Sequence, residues 1–291
     1  MKADNAIILA AGVSSRFAPL SYERPKALIE VKGEVLIERQ IRQLKEAGIN
    51  EIYVVTGYKA EQFGYLADSF GVKLLHNPDY LVRNNNSSIW AAKDIIANSY
   101  ICSADNYFAE IPFEAEVEEA YYSAVYSEGH TDEWCMEEDE AGYISGVTVG
   151  GENSWYMLGH VFWSDDFSKK FLEILTEEYE LDETAPKLWE DIFIEHLDEL
   201  RMKIRKYPDD VIFEFDTLDE LRKFDISYVE NTRSEILKNT AEKLQVSEAD
   251  ITDIKMIKDV SLVPVGFEFD CSKGHFSYMY STGELTDKER M

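Results

Sequence analysis

Residues 6–26 read A-I-I-L-A-A-G-V-S-S-R-F-A-P-L-S-Y-E-R-P-K. This join of an apolar run to a run of small residues constrains the fold more than any other stretch. Four apolar residues, Ala6, Ile7, Ile8 and Leu9, predict a buried strand. Ala10, Ala11, Gly12, Val13, Ser14 and Ser15 then carry so little side chain that backbone N–H groups can approach an anion closely. Arg16, and Lys26 directly after Pro25, add charge-assisted donors that a core strand has no use for. A tight solvated turn would account for the glycine and serines, but not for the second cation. The loop is not a G-x-x-x-x-G-K-[ST] phosphate loop, and with Gly12 as its only glycine it is not a dinucleotide fingerprint.

The rest of the first half alternates between the two periods. Residues 35–47 place Leu36, Ile37, Ile41 and Leu44 at helical spacing and stop at Gly48; residues 52–55 read as a buried strand, 59–70 as a helix and 72–75 as a strand. Without a hairpin signal between them, these are βαβ units on a parallel sheet, with right-handed crossovers. A polar cluster, Asn84-Asn85-Asn86-Ser87-Ser88, precedes a helix expected over 89–97. By composition it is a loop and cap. Strand 100–103 ends in Ala104-Asp105, where open α/β sheets bind ligands.

The pattern then changes. Residues 120–126, 143–149 and 155–163 read as longer strands with an acidic turn over 137–140, and 187–200 as a helix. These strands are expected to be antiparallel and to add a lid over the crevice. Aromatic side chains crowd here, and Trp163 at least is expected in the core. Glu133-Trp134 and Trp189-Glu190-Asp191 each set a carboxylate beside a ring, which is what holds a quaternary ammonium. Strands over 202–206 and 211–215 lead to Asp216-Thr217, with a helix over 218–223. A helix over 234–244, a helical turn over 246–253 and a hairpin, 262–270 with 275–280, complete the chain.

The 291 residues are 45% apolar and 13% aromatic, with a net charge of −28. Such a surface repels polyanions and argues against a nucleic-acid partner. A bound triphosphate would need a metal ion and a few placed cations to overcome the field. The chain has no apolar run long enough for membrane insertion and enters its first strand too early for a signal peptide, so cytoplasm is the default. Cys102, Cys135 and Cys271 are too scattered for a disulfide framework or a zinc site.

The opening stretch resembles the L-A-A-G-x-G-x-R…P-K signature of nucleotidyltransferases acting on sugar phosphates and alcohol phosphates. It is carried here by Leu9-Ala10-Ala11-Gly12, Arg16 and Pro25-Lys26, with Ser14 where the family has a second glycine. Whole segments, among them Val54 to Tyr58, Asn84-Asn85 with Ser88, Asp105, Glu133-Trp134, Lys187-Leu188-Trp189-Glu190 and Glu214-Phe215-Asp216-Thr217, resemble the LicC-type CTP:phosphocholine cytidylyltransferases.

That resemblance implies an α/β, Rossmann-like nucleotidyltransferase fold with a mixed, mostly parallel central sheet and helices on both faces. Residues 1–225 would form the catalytic domain and 226–291 a small α/β appendage. It implies a nucleotide site formed by residues 9–16 with Asn84, Asn85, Ser88 and Ala104, Ser88 contacting base or ribose. Mg²⁺ would be held by Asp105 and Asp216; a cap role for Asp216 competes. Lys26 would stabilise the α-phosphoryl group and Arg16 the departing pyrophosphate. Choline would be held by Glu133, Trp134, Trp155, Tyr156, Trp189 and Glu190. Arg83 and His160 are candidates for the acceptor's phosphate. The substrates implied are CTP and phosphocholine, with 2-aminoethylphosphonate, phosphoethanolamine or a sugar 1-phosphate as other acceptors, and an idle CTP- or choline-binding module as a reading from another class. Residues 251–283 resemble the opening strands of a choline kinase, with no kinase catalytic loop after them, so no phosphotransferase activity is expected of the appendage. Oligomeric state is left open, a homodimer included.

Overall fold

The computed structural model describes residues 1–261 and 263–288; the start of the hairpin expected at Leu262 falls outside them. The chain forms two compact units, one of Met1–Gly12 with Leu36–Glu214, the other of Val13–Val35 with Phe215–Met291. The sequence-based boundary after Asp225 falls inside the second unit.

The first unit is built on β1 (Asn5–Ala10), whose Ala6, Ile7 and Ile8 have no exposed surface. A strand apolar on both faces belongs in the middle of a sheet covered on both sides. β1 pairs in parallel with β2 (Ile52–Thr56) and β4 (Ser99–Ser103), and β2 in turn with β3 (Lys73–His76). Beyond β4 lie β6 (Ile144–Trp163), β5 (Tyr121–Glu138) and β7 (Lys203–Tyr207), giving the order β7-β5-β6-β4-β1-β2-β3. The contacts β4/β6 and β5/β6 are antiparallel and β5/β7 is parallel, so the sheet is mixed and mainly parallel. Helix α1 (Leu36–Glu46) buries Leu36, Ile37, Ile41 and Leu44, the stripe its spacing predicts. Helices α2 (Gly64–Phe70) and α3 (Asn86–Ala92) follow. α4 (Asp165–Glu178) starts where the Ser164 hydroxyl accepts from Phe167 N–H at 3.2 Å, with Asp165 and Asp166 in the first turn favouring the positive end of its dipole. Together with α5 (Trp189–Glu195) it closes a core in which the Trp163 ring lies 4.5 Å from Phe171 and 5.1 Å from Trp189.

Several elements differ from expectation. The strands expected over 120–126, 143–149 and 155–163 are one long hairpin, β5 and β6, including Glu137 and Glu138. Its turn forms where the Asp139 carboxylate accepts from Ala141 and Tyr143 N–H, each at 2.9 Å. The middle of the hairpin, residues 126–134 with 145–156, is without buried residues, so its polar sequence imitates a loop while the ladder continues, and Cys135, Met136 and Ile144 beside the turn are buried again. α3 begins at Asn86, three residues early, and ends at Ala92 rather than 97; α5 covers only the middle of its expected span. His160 is 1% exposed, 3.0 Å from the Tyr121 hydroxyl, and burial lowers its pKa to about 3. It is a neutral core histidine and cannot serve as the phosphate-binding cation.

In the second unit, α6 (Leu218–Phe224) and α7 (Glu235–Leu244) precede an antiparallel meander of β8 (Thr252–Lys258), β9 (Pro264–Cys271), β10 (Gly274–Met279) and β11 (Glu284–Asp287). The expected hairpin is β9/β10; β8 and β11 flank it and were not expected. The helical turn expected over 246–253 is a 3-10 turn, Glu248–Asp250. Phe267 and Phe269 are fully buried beneath the meander.

Candidate active site

In the first unit β1 delivers Leu9, Ala10 and Ala11, the last 4% exposed, and Gly12 emerges into solvent. The Ala11 carbonyl accepts from Tyr58 N–H at 3.0 Å, and a Cβ on Gly57 would stand 2.9 Å from that oxygen and 2.6 Å from the Tyr80 ring. Only glycine allows this approach. Ala104 N–H donates to the Leu9 carbonyl at 3.2 Å, so the end of β4 lies against the end of β1 and Asp105, half-buried, follows at once. Side chains of α1 hold this strand end. Gln40, 1% exposed, donates to the Ser103 carbonyl at 3.0 Å, while Gln43 and Arg39 donate to the Phe108 carbonyl at 3.0 and 2.9 Å. Gln40, Gln43 and Arg39 are positioning residues that helical periodicity alone marks only as polar.

The asparagine cluster is held by long-range bonds. Asn84 donates to the Pro186 carbonyl at 3.0 Å, Asn86 to the carbonyls of Thr184 (2.9 Å) and Lys187, and Asn85 to the Glu190 carboxyl at 3.0 Å while accepting from Trp189 N–H at 2.7 Å. All three amides therefore fasten the segment leading into α5. Ser88 lies in the first turns of α3, 4% exposed, and its hydroxyl accepts from Asn77 at 3.1 Å. Asn77 also donates to Ser87 at 2.8 Å, a role a loop asparagine before proline does not announce.

The aromatic residues converge partly. Cys135 is laddered with Tyr156, whose phenol is near enough to feel the Glu133 charge, and Trp134 and Trp155 both pack on the core. Trp189 is 3% exposed and stacks on Tyr122 at 5.8 Å, so it is chiefly a wall of this locus. Glu190 retains some exposed surface, yet its carboxyl group is enclosed by Asn85 and by Tyr122, whose hydroxyl lies 3.3 Å away; burial pushes its pKa up to about 7 against those two hydrogen bonds. Burial also raises the Tyr156 phenol, helped by the charges of Glu133, Glu214 and Asp209. Glu214 accepts from Asn106 at 3.2 Å and acts on Tyr122 as well. It belongs to this locus, although the sequence marks it only as a neighbour of Asp216. Rings and carboxylates thus share one region of the unit. Arg83 lies over the Tyr179 ring at 4.0 Å, and its Nε donates to Asn86 at 3.4 Å.

In the second unit Arg16, Lys26 and Asp216 come together. Arg16 Nη1 lies 2.7 Å and Lys26 Nζ 3.8 Å from the Asp216 carboxylate. Lys26 is 4% exposed and sits 5.6 Å from the Phe17 ring. The helix cap is Thr217, bonded reciprocally with Glu220, so the Asp216 carboxylate is left to the cations. Ser14 has φ 51° and ψ 53°, the left-handed region that a glycine occupies without cost. The family's second glycine thereby acquires a physical reason.

Among the described residues no three His, Cys, Asp or Glu side chains converge as a metal cluster. Carboxylates are the hard oxygen donors that Mg²⁺ accepts, and Asp105 in the first unit and Asp216 in the second each carry one.

A strand-delivered small-residue loop, an aspartate at the end of the neighbouring parallel strand and a cation pair on the loop's continuation define a nucleotidyltransferase, and residues 6–110 match the MobA-like NTP transferase domain. Over 234 residues, 80% of this chain and 98% of the relative, the sequence is 33% identical to choline-phosphate cytidylyltransferase of Streptococcus pneumoniae. It is 36% identical to 2-aminoethylphosphonate cytidylyltransferase of Lancefieldella rimae over 79% of this chain and 95% of that one. The solved structure of CTP:phosphocholine cytidylyltransferase from Streptococcus pneumoniae matches with a TM-score of 0.73, covering 77% of this chain and 97% of that one. The chain belongs to this family of cytidylyltransferase-like nucleotidyltransferases.

Proposed function

We propose that the chain transfers CMP from CTP to phosphocholine, giving CDP-choline and pyrophosphate. The observation that carries the choice of acceptor is the grouping of Trp134, Tyr156, Trp189 and Tyr122 with Glu133, Glu190 and Glu214 in the first unit. Ring faces and carboxylates together suit a quaternary ammonium. A phosphate oxygen of the acceptor attacks the α-phosphorus of CTP, and the bond to the pyrophosphate oxygen breaks; no covalent enzyme intermediate is needed. The protein's work is positioning and charge neutralisation. Lys26 stabilises negative charge growing on the α-phosphoryl group, while Arg16 and the backbone of residues 11–15 hold the β- and γ-phosphates. Asn84, Asn85, Ser88 and Ala104 line the base and ribose side; with three asparagine amides fastened to the 184–190 segment, that side is pre-organised. Mg²⁺, held by Asp105 and Asp216, would supply charge neutralisation at the phosphates. No helix among the described residues is long and apolar enough to cross a membrane; we place the reaction in the cytoplasm, where CTP is available. The C-terminal strands are assigned no phosphotransferase chemistry.

A second acceptor is favoured by one observation, the number of carboxylates in the locus, which a primary ammonium such as that of 2-aminoethylphosphonate uses more than it uses rings. Pyrophosphate release is to be measured with CTP and each acceptor. Phosphocholine is expected to give at least tenfold higher kcat/KM; a preference for the phosphonate would overturn the choice, and CTP binding without release for any acceptor would make the chain an idle module.

A further inference from the structure

The Streptococcus pneumoniae relative is spanned almost entirely by four-fifths of this chain, and the matched family domain starts at residue 6. About a fifth of the chain therefore has no counterpart in that relative. In the structure Phe215–Met291 forms one compact unit with Val13–Val35, the segment that carries Arg16 and Lys26. The joint is specific. The Tyr280 ring stacks on Tyr22 with centroids 3.6 Å apart and planes 7° from parallel. Ile236 N–H, in the first turn of α7, donates to the Glu23 carboxylate at 3.2 Å. Lys32 N–H donates to Asp225 at 2.7 Å, Arg233 donates to the Glu30 carbonyl at 3.0 Å, and the Tyr228 hydroxyl donates to that same carbonyl. These contacts reach the segment at Tyr22 and Glu23, just before Lys26, and at Glu30 and Lys32, just after it. Between them lies a cavity of about 270 Å³ bordered by Leu20, Glu23, Ile29, Glu30, Tyr228 and Arg233. Directed bonds and one ring stack thus add to the burial of Phe17, Leu20, Leu28 and Val31 in setting the segment's shape.

We propose that the C-terminal part of this unit, residues 225–280, is a positioning element for the phosphate-handling segment, with Tyr280 and Tyr228 as its principal positioning residues. The inference rests on the nucleotidyltransferase reading of Arg16 and Lys26. It explains how a segment made of short helical turns and one pair of two-residue strands, Glu30–Val31 with Glu34–Val35, can hold two cations in place: the C-terminal part clamps it on both sides of Lys26. The enzyme's affinity for CTP is then set partly by residues that never touch it.

The test uses the full-length chain and compares Tyr280→Ala, Tyr280→Phe and Tyr228→Phe. Losing a stacked ring pair is expected to raise the KM for CTP about two- to tenfold in Tyr280→Ala. The phosphocholine KM should stay within twofold, and Tyr280→Phe should restore the CTP value. A CTP KM unchanged in folded Tyr280→Ala, or both KM values rising together, overturns the proposal. Should Tyr280→Ala fail to fold, Tyr228→Phe keeps its ring, loses only the hydroxyl's bonds to the Glu30 carbonyl and from Arg233, and must still raise the CTP KM by about twofold; no change there contradicts the proposal. If the wild-type chain releases no pyrophosphate with any acceptor, the functional reading fails by itself. Titration calorimetry with CTP then decides the inference by whether Tyr280→Ala weakens binding.

Discussion

The two sides of Gly12 make an instructive comparison. Ala10 and Ala11 are the end of the most buried strand of the first unit, while Ser14, Arg16 and Lys26 belong to a unit whose other part is the C-terminus. The first unit also contains the ring-and-carboxylate locus of Trp134, Tyr156, Glu133 and Glu214, and the second the Arg16–Asp216–Lys26 cluster. One is chemistry for a cation, the other for an anion. In a chain of net charge −28, carboxylates gathered for an ammonium disfavour a triphosphate, whereas Arg16 and Lys26 offer it the opposite charge.

The comparison can be broken most forcefully from the anion side. Lys26→Ala removes the buried donor proposed to stabilise the α-phosphoryl group and is expected to lower kcat about 10²- to 10³-fold in a pyrophosphate-release assay; a loss under tenfold would place phosphate stabilisation elsewhere. Asp105→Ala is expected to abolish turnover in a chain that stays folded by circular dichroism, and near-normal turnover would remove Asp105 from the metal site. On the cation side Trp134→Ala should raise the phosphocholine KM roughly tenfold, within what a partly desolvated ring face contributes, and leave the CTP KM alone.

Smaller effects sharpen the contrast. Ser14→Gly relieves a left-handed serine and should raise stability by about 1 kcal/mol, about 2 °C in melting temperature. Unchanged CTP affinity and turnover would show that the departure from the family's glycine is neutral for function. Glu190 holds its proton up to about 7 when folded, whereas an unperturbed carboxyl releases it near 4.5. The folded state therefore binds the extra proton between those values, and this group's contribution to stability is full below about 4.5 and lost as pH rises to about 7. Glu190→Gln should flatten that decline in denaturant titrations from pH 5 to 7; an identical slope would show that the carboxyl is not held neutral.

How much of this is legible in the sequence depends on how local its cause is. β1, its parallel partners, the stripe of α1 and the Thr217 cap follow from period and capping residues within a few positions. Arg16, Lys26 and Asp105 follow from order along the chain. Three asparagines reading as a loop cannot reveal that their partners lie about 100 residues away at Thr184, Pro186 and Glu190. The middle of the β5/β6 hairpin, residues 126–134 with 145–156, buries no side chain and has no apolar alternation to betray it. His160 looks like a cation until Tyr121 and the surrounding rings enclose it. The joining of Val13–Val35 to the C-terminus rests on Tyr22 meeting Tyr280 and Lys32 meeting Asp225, pairings that no local pattern encodes.

The central claim, that the cation-bearing segment serves CTP and the ring-and-carboxylate locus serves the acceptor, is tested most directly by two-substrate kinetics on Arg16→Ala and Trp134→Ala. The Arg16 side chain is 73% exposed, so its ion pair contributes little to stability and its loss should leave the fold intact. The prediction is a crossed pattern: Arg16→Ala raises the KM for CTP and leaves that for phosphocholine within twofold, and Trp134→Ala does the reverse. If both variants raise the same KM, or each raises both equally, the division of labour between the two regions is wrong.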